Sequence, residues 1–412
     1  MTGAEAPPRR LLVRDLAQLV TPAPEGGPMR GARAGDVTLV EDAYVLCEAG
    51  RITAVGPMRE LGALDGDMEK LDGSGRCAVP GLVDCHTHAC FVGDRVEEFA
   101  LRARGATYEE LHAAGGGILS TVEATRAAEE TTLVEAVSRH RDAMRRHGTT
   151  TFEAKSGYGL DRETELASLR AIGAAGGVPT WLGAHAVPPE FRDADAYLDF
   201  ALAEVLPDAA RLAAAADVFL ERNAFDATQA RRYLSACRDA GLALRLHGDQ
   251  FTESGAIPLA IELGARSVDH LEATGDGGID TLVRSDVTAV LLPASALFLS
   301  RPMPRARDLL DRGAIVALAT DFNPGSAYCE SLPLVASLAA TQLGMGLEEI
   351  LCALTVNPAH VLGCANRKGR LAPGYDADIV LLGEPDWRYL AYHLAGDVVE
   401  TVLLGGEPLG LG

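Results

Sequence analysis

The sequence predicts an α/β protein: a (β/α)8 TIM-type barrel carrying a small β-sandwich domain formed from both chain termini. Three observations carry that prediction. Short apolar runs alternate with Ala- and Arg-rich amphipathic stretches through the middle of the chain, both ends show a strand–turn–strand texture, and reactive side chains recur at the C-terminal ends of the apolar runs.

The elements follow in order. From Gly35, "GDVTLVEDAYVLCEAGRITAVG" alternates β-rich runs with acidic or glycine turns, the pattern of antiparallel strands and hairpins. "GRLAPGYDADIVLLGEP" from Gly369 and "GDVVETVLLGGEPLG" from Gly396 repeat it, so residues 1–79 and 366–412 are expected to combine into one β-domain around a barrel at 80–365. The eight barrel strands are "GLVDCHTH" from Gly81, "TTTFEAKS" from Thr149, "PTWLGAHAV" from Pro179, "DVFLERNAF" from Asp217, "LALRLHGDQ" from Leu242, "SVDHLE" from Ser267, "TAVLLPAS" from Thr288 and "IVALATDFNPG" from Ile315. Amphipathic stretches such as 226–240 supply the helices between them.

Composition narrows the function. A formal charge of −21, with lysine only at Lys70, Lys155 and Lys368, leaves no basic stripe to neutralise phosphates, so neither nucleic acid nor a membrane surface is an expected partner. Arg14 and Asp15 interrupt the N-terminal apolar residues, and the longest apolar stretch, "VTAVLLPASALFLS", is too short to span a bilayer. A soluble cytoplasmic protein is expected. Its eight cysteines form no C-x-x-C pair and read as reduced thiols, with Cys85 and Cys90 as small buried hydrophobes rather than ligands.

The chemistry concentrates in "PGLVDCHTHACFVGDR", residues 80–95. In a strand, residues i and i+2 point to one side roughly 6.5–7 Å apart along the chain, so His86 and His88 can converge on one ion. His185, His247, His270 and Asp321 end the third, fifth, sixth and eighth strands, which puts five of the ten histidines where a barrel keeps its reactive groups. His86, His88, His247 and Asp321 make a nitrogen-rich set suited to zinc or iron, with a position left open for a water whose pKa falls to around 7 on zinc. Asp321 can hold metal through one oxygen and shuttle a proton through the other. His270 is expected to polarise a substrate carbonyl or orient the water, and His185 to contact substrate.

The order H-x-H, His, His, Asp on strands one, five, six and eight resembles the amidohydrolase superfamily over almost the whole chain. "DCHTHACFVGDRVEEFALRARGATYEELHAAGGGI", "FEAKSGYGL", "GAHAVPPEF", "HGDQF", "ELGARSVDHLE" and "TDFNPGSAYCESLPL" are together similar to its imidazolonepropionase family. The resemblance implies hydrolysis of the cyclic amide of 4-imidazolone-5-propanoate to N-formimidoyl-L-glutamate, in histidine degradation. It implies a homodimer with one zinc or iron ion per subunit on His86, His88, His247 and Asp321. Substrate contacts would fall on Arg95, Tyr158, His185, Gln250 and Ser326, with Asn323 and Gly325 near the product's carboxylate and amide. Binuclear relatives bridge two ions with a carboxylated lysine on strand four; Glu221 stands on that strand here and Lys155 lies on strand two, so one ion is expected and the role of Glu221 stays open between support of the site and plain structure.

These assignments have chemical reasons. The Arg95 fork matches a small-molecule substrate bearing a carboxylate, against the alternative of a surface salt bridge with Glu97 or Glu98. Tyr158 lies in "KSGYGL", whose glycines let backbone approach a ligand, and the "NPGS" turn can offer backbone donors and a hydroxyl. Gln250 is an amide, so it can hydrogen-bond but not act as a base. "GGG" at 115–117 lacks a Lys-Ser/Thr partner and reads as a loop bordering the pocket rather than a phosphate loop. Two rivals stay open: another cyclic amidohydrolase or nucleobase deaminase using the same metal set, and an inactive barrel serving as a scaffold.

Overall fold

The computed structural model describes residues 9–24, 26–105, 117–222 and 224–410. The chain opens with β1 (Arg10–Pro22), β2 (Val37–Glu48), β3 (Arg51–Pro57), β4 (Glu69–Asp72) and β5 (Cys77–Pro80). The barrel follows as β6 (Leu82–Asp84), β7 (Thr149–Lys155), β8 (Val178–Ala184), β9 (Ala215–Leu220), β10 (Ala243–Gly248), β11 (Ser267–His270), β12 (Thr288–Leu291) and β13 (Ile315–Leu318). The chain then returns to the first sheet with β14 (Ile379–Leu382), β15 (Val399–Leu404) and β16 (Glu407–Pro408).

All eight expected barrel strands form, each pairing in parallel with the next. The ring closes past the strand ends, where Thr87 bridges Phe322, Asp321 N donates to His86 O at 3.1 Å and His88 N donates to Phe322 O at 2.9 Å. Closure therefore draws the segments carrying His86, His88 and Asp321 side by side. The strands read as continuous apolar runs because helices cover their outer face and side chains fill the inner one. Asp161 caps helix Arg162–Ala174 by accepting from Thr164 N at 2.8 Å, and Asp226 opens Ala227–Asp239 with a capping box to Gln229. Leu166, Leu169 and Ile172 on the first helix, and Tyr233, Leu234 and Cys237 on the second, form stripes buried in the barrel core.

The terminal sheet runs β16-β15-β14-β5-β1-β2-β3, with β4 also paired to β1. Its alternation sorts side chains to two faces. Ala78, Ile379, Leu381 and Leu403 join Leu11, Val13, Leu16 and Val45 in a separate small core, while Val79, Val380, Leu382 and Val402 belong to the barrel core. The sequence texture suggests antiparallel hairpins throughout, but β1 pairs in parallel with both β4 and β5. The turns from β1 to β2 and from β2 to β3 reverse the chain twice, and the connection after β3 brings it back beside β1 running the same way. Only Gly81 separates β5 from β6, so the small domain holds the first barrel strand directly.

Among the described residues no helix is long and apolar enough to cross a membrane. All eight cysteines are free, Cys85 and Cys90 are fully buried, and burial pushes the Cys90 thiol up to about 12.

Candidate metal centre and active site

Five buried side chains converge at the C-terminal mouth of the barrel. His86 and His88 follow β6, His247 lies in β10, His270 ends β11, and Asp321 stands just beyond β13. The ring of His86 has its centre 4.5 Å from that of His247 and 5.5 Å from that of His88. Nε2 of His247 lies 3.2 Å from Nε2 of His88, and Asp321 Oδ1 lies 3.5 Å from Nε2 of both His86 and His88. The ligand atoms of His86, His88 and Asp321 fall within 4.8 Å of one another, as do those of His86, His247 and His270. His270 and Asp321 hold left-handed backbone, with φ of +86° and +55°, a conformation that costs a non-glycine residue energy and concentrates at functional sites.

Carboxylates behind the histidines fix their orientation. Asp269 Oδ2 lies 2.5 Å from His86 Nδ1, and Asp217 Oδ1 lies 3.0 Å from His247 Nδ1. An Nδ1–H donated to each acid leaves the Nε2 lone pair facing the cluster. His86 Nε2 is buried and has no hydrogen-bond partner among the described residues. Burial, then the neighbouring Lys155 and His185 respectively, hold His86 and His88 well below the ordinary imidazole range. Neutral nitrogens crowded on one point, with a carboxylate beside them, are the donor set of a zinc or iron ion, so the residues fit such a metal.

His270 differs. Burial works to lower its pKa, yet Glu272, whose Oε1 lies 3.5 Å from His270 Nδ1, raises it above the ordinary value. Burial also raises Asp321. His185 stacks on His88 with ring centres 5.2 Å apart, and its Nδ1 lies 2.9 Å from Gly157 O. Burial, with His247 alongside, pushes the His185 imidazole down to about 3.

These neutral imidazoles give a pH prediction. Their folded pKa values lie below the unfolded value near 6.5, so as pH falls through about 6.5 the unfolded chain takes up protons that the native site refuses. Metal-free protein is expected to lose stability from about pH 7 to pH 5 by up to about 1.4 kcal/mol per pH unit for each such imidazole. Urea unfolding at a series of pH values measures this, and stability that holds or rises on acidification would contradict it.

The pocket residues are placed as follows. Tyr158 is buried, its ring 5.4 Å from that of His185 and 6.0 Å from that of His88, and burial raises its pKa. Gln250 is buried after β10, and its amide makes no hydrogen bond among the described residues. Arg95 pairs with Glu98 at 2.6 Å, but the pair is no surface bridge, since the two side chains are only 16% and 10% exposed. The guanidinium lies on Gly325 so closely that a Cβ there would meet Arg95 Nη1 at 2.1 Å.

The "NPGS" turn departs from expectation. Asn323 Oδ1 accepts from Gly325 N at 2.8 Å and Ser326 N at 2.7 Å, so the backbone donors read as a carboxylate cradle close the turn on itself. Ser326 Oγ lies 3.4 Å from Asp321 Oδ2, and Asn323 Nδ2 donates to Asp321 O at 2.6 Å, so the turn supports Asp321. Glu221 accepts from Phe251 N at 2.8 Å and Thr252 N at 3.0 Å, which pins the loop carrying Gln250. Of "GGG" at 115–117, the first two glycines lie outside the described residues.

Several functional groups escaped the sequence reading: Asp217, Asp269 and Glu272 beside the histidines, and Arg102, whose Nη2 donates to Gly325 O at 3.0 Å. A usable signal existed in β7 and β10. Glu153 with Lys155, and Arg245 with His247, are i, i+2 pairs of ionisable residues within buried strands, which sends both members of each pair to one side.

A closed parallel barrel with a buried histidine–carboxylate cluster at its C-terminal mouth defines a metal-dependent hydrolase class, and the chain belongs to the amidohydrolase family, whose model matches residues 77–408. The fold is shared with a zinc-bound adenosine deaminase from Xanthomonas campestris (TM-score 0.70, 18% identity, 98% of this chain and 93% of that one). A triazine hydrolase variant shares it too (TM-score 0.72, 18% identity, 97% and 94%). Curated relatives narrow the class. A Rubrobacter xylanophilus protein named imidazolonepropionase is 58% identical over 96% of this chain and 97% of its own length, and one of the same name from Chloroflexus aggregans is 44% identical over 97% and 98%. Within the amidohydrolases, this chain is a hydrolase of the imidazolonepropionase family.

Proposed function

We propose that the cluster opens the cyclic amide of 4-imidazolone-5-propanoate to give N-formimidoyl-L-glutamate in histidine degradation, with one zinc or iron ion per subunit held by His86, His88, His247 and Asp321. The observation that carries the site assignment is the approach of His88 and His247 through Nε2 at 3.2 Å with Asp321 Oδ1 beside them, an arrangement of lone pairs that a cation stabilises. A bound divalent ion supplies Lewis acidity, which sharpens water as a nucleophile and polarises the ring carbonyl.

The protein's own groups do the rest. Asp321 accepts the proton of the attacking water and delivers it to the ring nitrogen as the carbonyl C–N bond breaks, so hydroxyl ends on carbon and hydrogen on nitrogen. His270, oriented by Glu272, donates to the carbonyl oxygen as negative charge develops there. His185, with Nδ1 turned to Gly157 O, presents Nε2 to the substrate ring as an acceptor. Arg95 and Tyr158 hold the propanoate, with Gln250 and Ser326 as further polar contacts, so binding at a remote group fixes the reacting carbon. Asn323 and Gly325 shape the turn that supports both Asp321 and Arg95. A carboxylate-bearing substrate, unlike a neutral nucleobase, can compete with Glu98 for the Arg95 guanidinium, which favours this substrate over deamination. The same reading takes the enzyme to be a cytoplasmic homodimer, and an equilibrium sedimentation mass of two chains is the test of that state.

Purified protein is expected to consume imidazolone propanoate, lose at least about 10²-fold in rate after chelation, and regain it with zinc or iron. Full turnover by protein with no measurable metal would contradict the proposal. Arg95→Ala is expected to raise KM roughly 10- to 100-fold, with kcat little changed, as befits loss of a charge-assisted contact to a non-reacting group. An unaltered KM would remove Arg95 from the carboxylate site.

A further inference from the structure

From His86 to His247, seven side chains, the two histidines included, form an unbroken polar path. His86 Nδ1 meets Asp269 Oδ2 at 2.5 Å, Asp269 Oδ2 pairs with Arg245 Nη2 at 3.1 Å, and Arg245 Nη1 pairs with Glu153 Oε1 at 2.9 Å. Glu153 Oε1 then holds Lys155 Nζ at 2.8 Å, Lys155 Nζ pairs with Asp217 Oδ2 at 2.9 Å, and Asp217 Oδ1 reaches His247 Nδ1 at 3.0 Å. All seven are buried, Lys155 completely. Stability alone is a poor account of such a path, because well-packed apolar residues would serve a barrel interior as well or better. Its two cations face three carboxylates, and the excess acid suits a site built to receive a cation.

We propose that Lys155 is a positioning residue for the metal centre, holding Asp217 so that His247 presents Nε2, although Lys155 itself hydrogen-bonds to neither histidine. Asp217 has two oxygens and two tasks: Oδ2 is anchored by Lys155, which leaves Oδ1 to receive His247 Nδ1–H. With the ammonium gone, Oδ2 loses its cation and the carboxylate is fixed on the His247 side alone, through N at 3.2 Å and Nδ1 at 3.0 Å, so the imidazole is held less firmly in tautomer and aim. Arg245 does the corresponding work for Asp269 and His86, and Glu153 ties the two halves together by accepting from Lys155 Nζ at 2.8 Å and from Thr87 N at 3.1 Å while pairing ionically with Arg245. The inference rests on the metal site proposed above.

Zinc affinity, measured on chelator-stripped protein by competition with a chromophoric chelator at neutral pH, tests it. Lys155→Met is expected to bind zinc roughly 10- to 100-fold more weakly than wild type, with its KM unchanged once saturated with metal. Lys155→Arg is expected to restore much of the affinity. Asp217→Asn should match Lys155→Met, and the double variant should be no worse than either single, since both break one link. A Lys155→Met protein that binds zinc as tightly as wild type, though less stable in urea, would overturn the proposal and leave Lys155 a structural residue. If that variant fails to fold, nitrogen-15 spectra of histidine-labelled, metal-free wild type decide: His86 and His247 as Nδ1–H tautomers support the path, and Nε2–H tautomers overturn it. Wild type unable to bind zinc or iron would bring down the metal reading and this inference together, whereas tight wild type with an equally tight Lys155→Met sinks this inference alone.

Discussion

Asp321→Asn is expected to lower kcat by about 10³-fold or more while leaving the barrel folded. The reason is that two duties meet in one carboxylate. Asp321 Oδ1 faces Nε2 of His86 and of His88 at 3.5 Å, whereas Oδ2 faces the Ser326 hydroxyl at 3.4 Å, so the two oxygens look in different directions. An amide can still coordinate weakly through oxygen but cannot carry a proton from water to a leaving nitrogen. Steady-state rates together with metal analysis separate the losses: near-normal metal content with a collapsed kcat assigns the proton transfer to Asp321. Activity within tenfold of wild type would remove it from the reaction.

Arg245→Met is expected to cost about 3–5 kcal/mol of unfolding free energy, the largest stability effect of any single change to an ion pair in this molecule. Arg245 is 1% exposed and stands between Glu153 and Asp269, so its loss strands two buried carboxylates with only Lys155 to face them. It also gives up a hydrogen bond to Cys85 O, next to His86. The surface pairs behave differently. Arg231 and Glu262 are water-exposed partners whose removal is expected to leave the urea midpoint almost unmoved, because solvent screens them. Denaturant curves for the two variants make the comparison, and an Arg245→Met protein as stable as wild type would show that the buried path does not bear on folding.

Much of this was legible in the chain. His86, His88, His247 and Asp321 could be found because barrel strands expose their C-terminal ends to the pocket and because alternate residues of a strand share a side, both properties of backbone geometry that require no knowledge of packing. The eight strands were legible for a related reason: burial on both faces leaves an apolar run bounded by turns. What lay hidden depends on partners remote in sequence. Asp217 and Asp269 each sit inside a short apolar run, where nothing local says which histidine an acid will meet, and the two pairings, His86 with Asp269 and His247 with Asp217, span 183 and 30 residues. Lys155 looked misplaced when judged only as a bridge between two ions, because its true partners, Glu153 and Asp217, come from its own strand and a different one. The "NPGS" turn misled in the opposite direction: its composition promises free backbone donors, yet the Asn323 side chain consumes them.

The central claim is that four residues separated by more than two hundred positions hold a single catalytic cation. Anomalous diffraction from crystals of active protein, recorded on either side of the zinc and iron absorption edges, tests it most directly. The account predicts one peak per subunit at about 2.0–2.2 Å from a ring nitrogen of His86, His88 and His247 and from a carboxylate oxygen of Asp321. A fully active crystal with no peak there, or with its metal bound by other side chains, would contradict it.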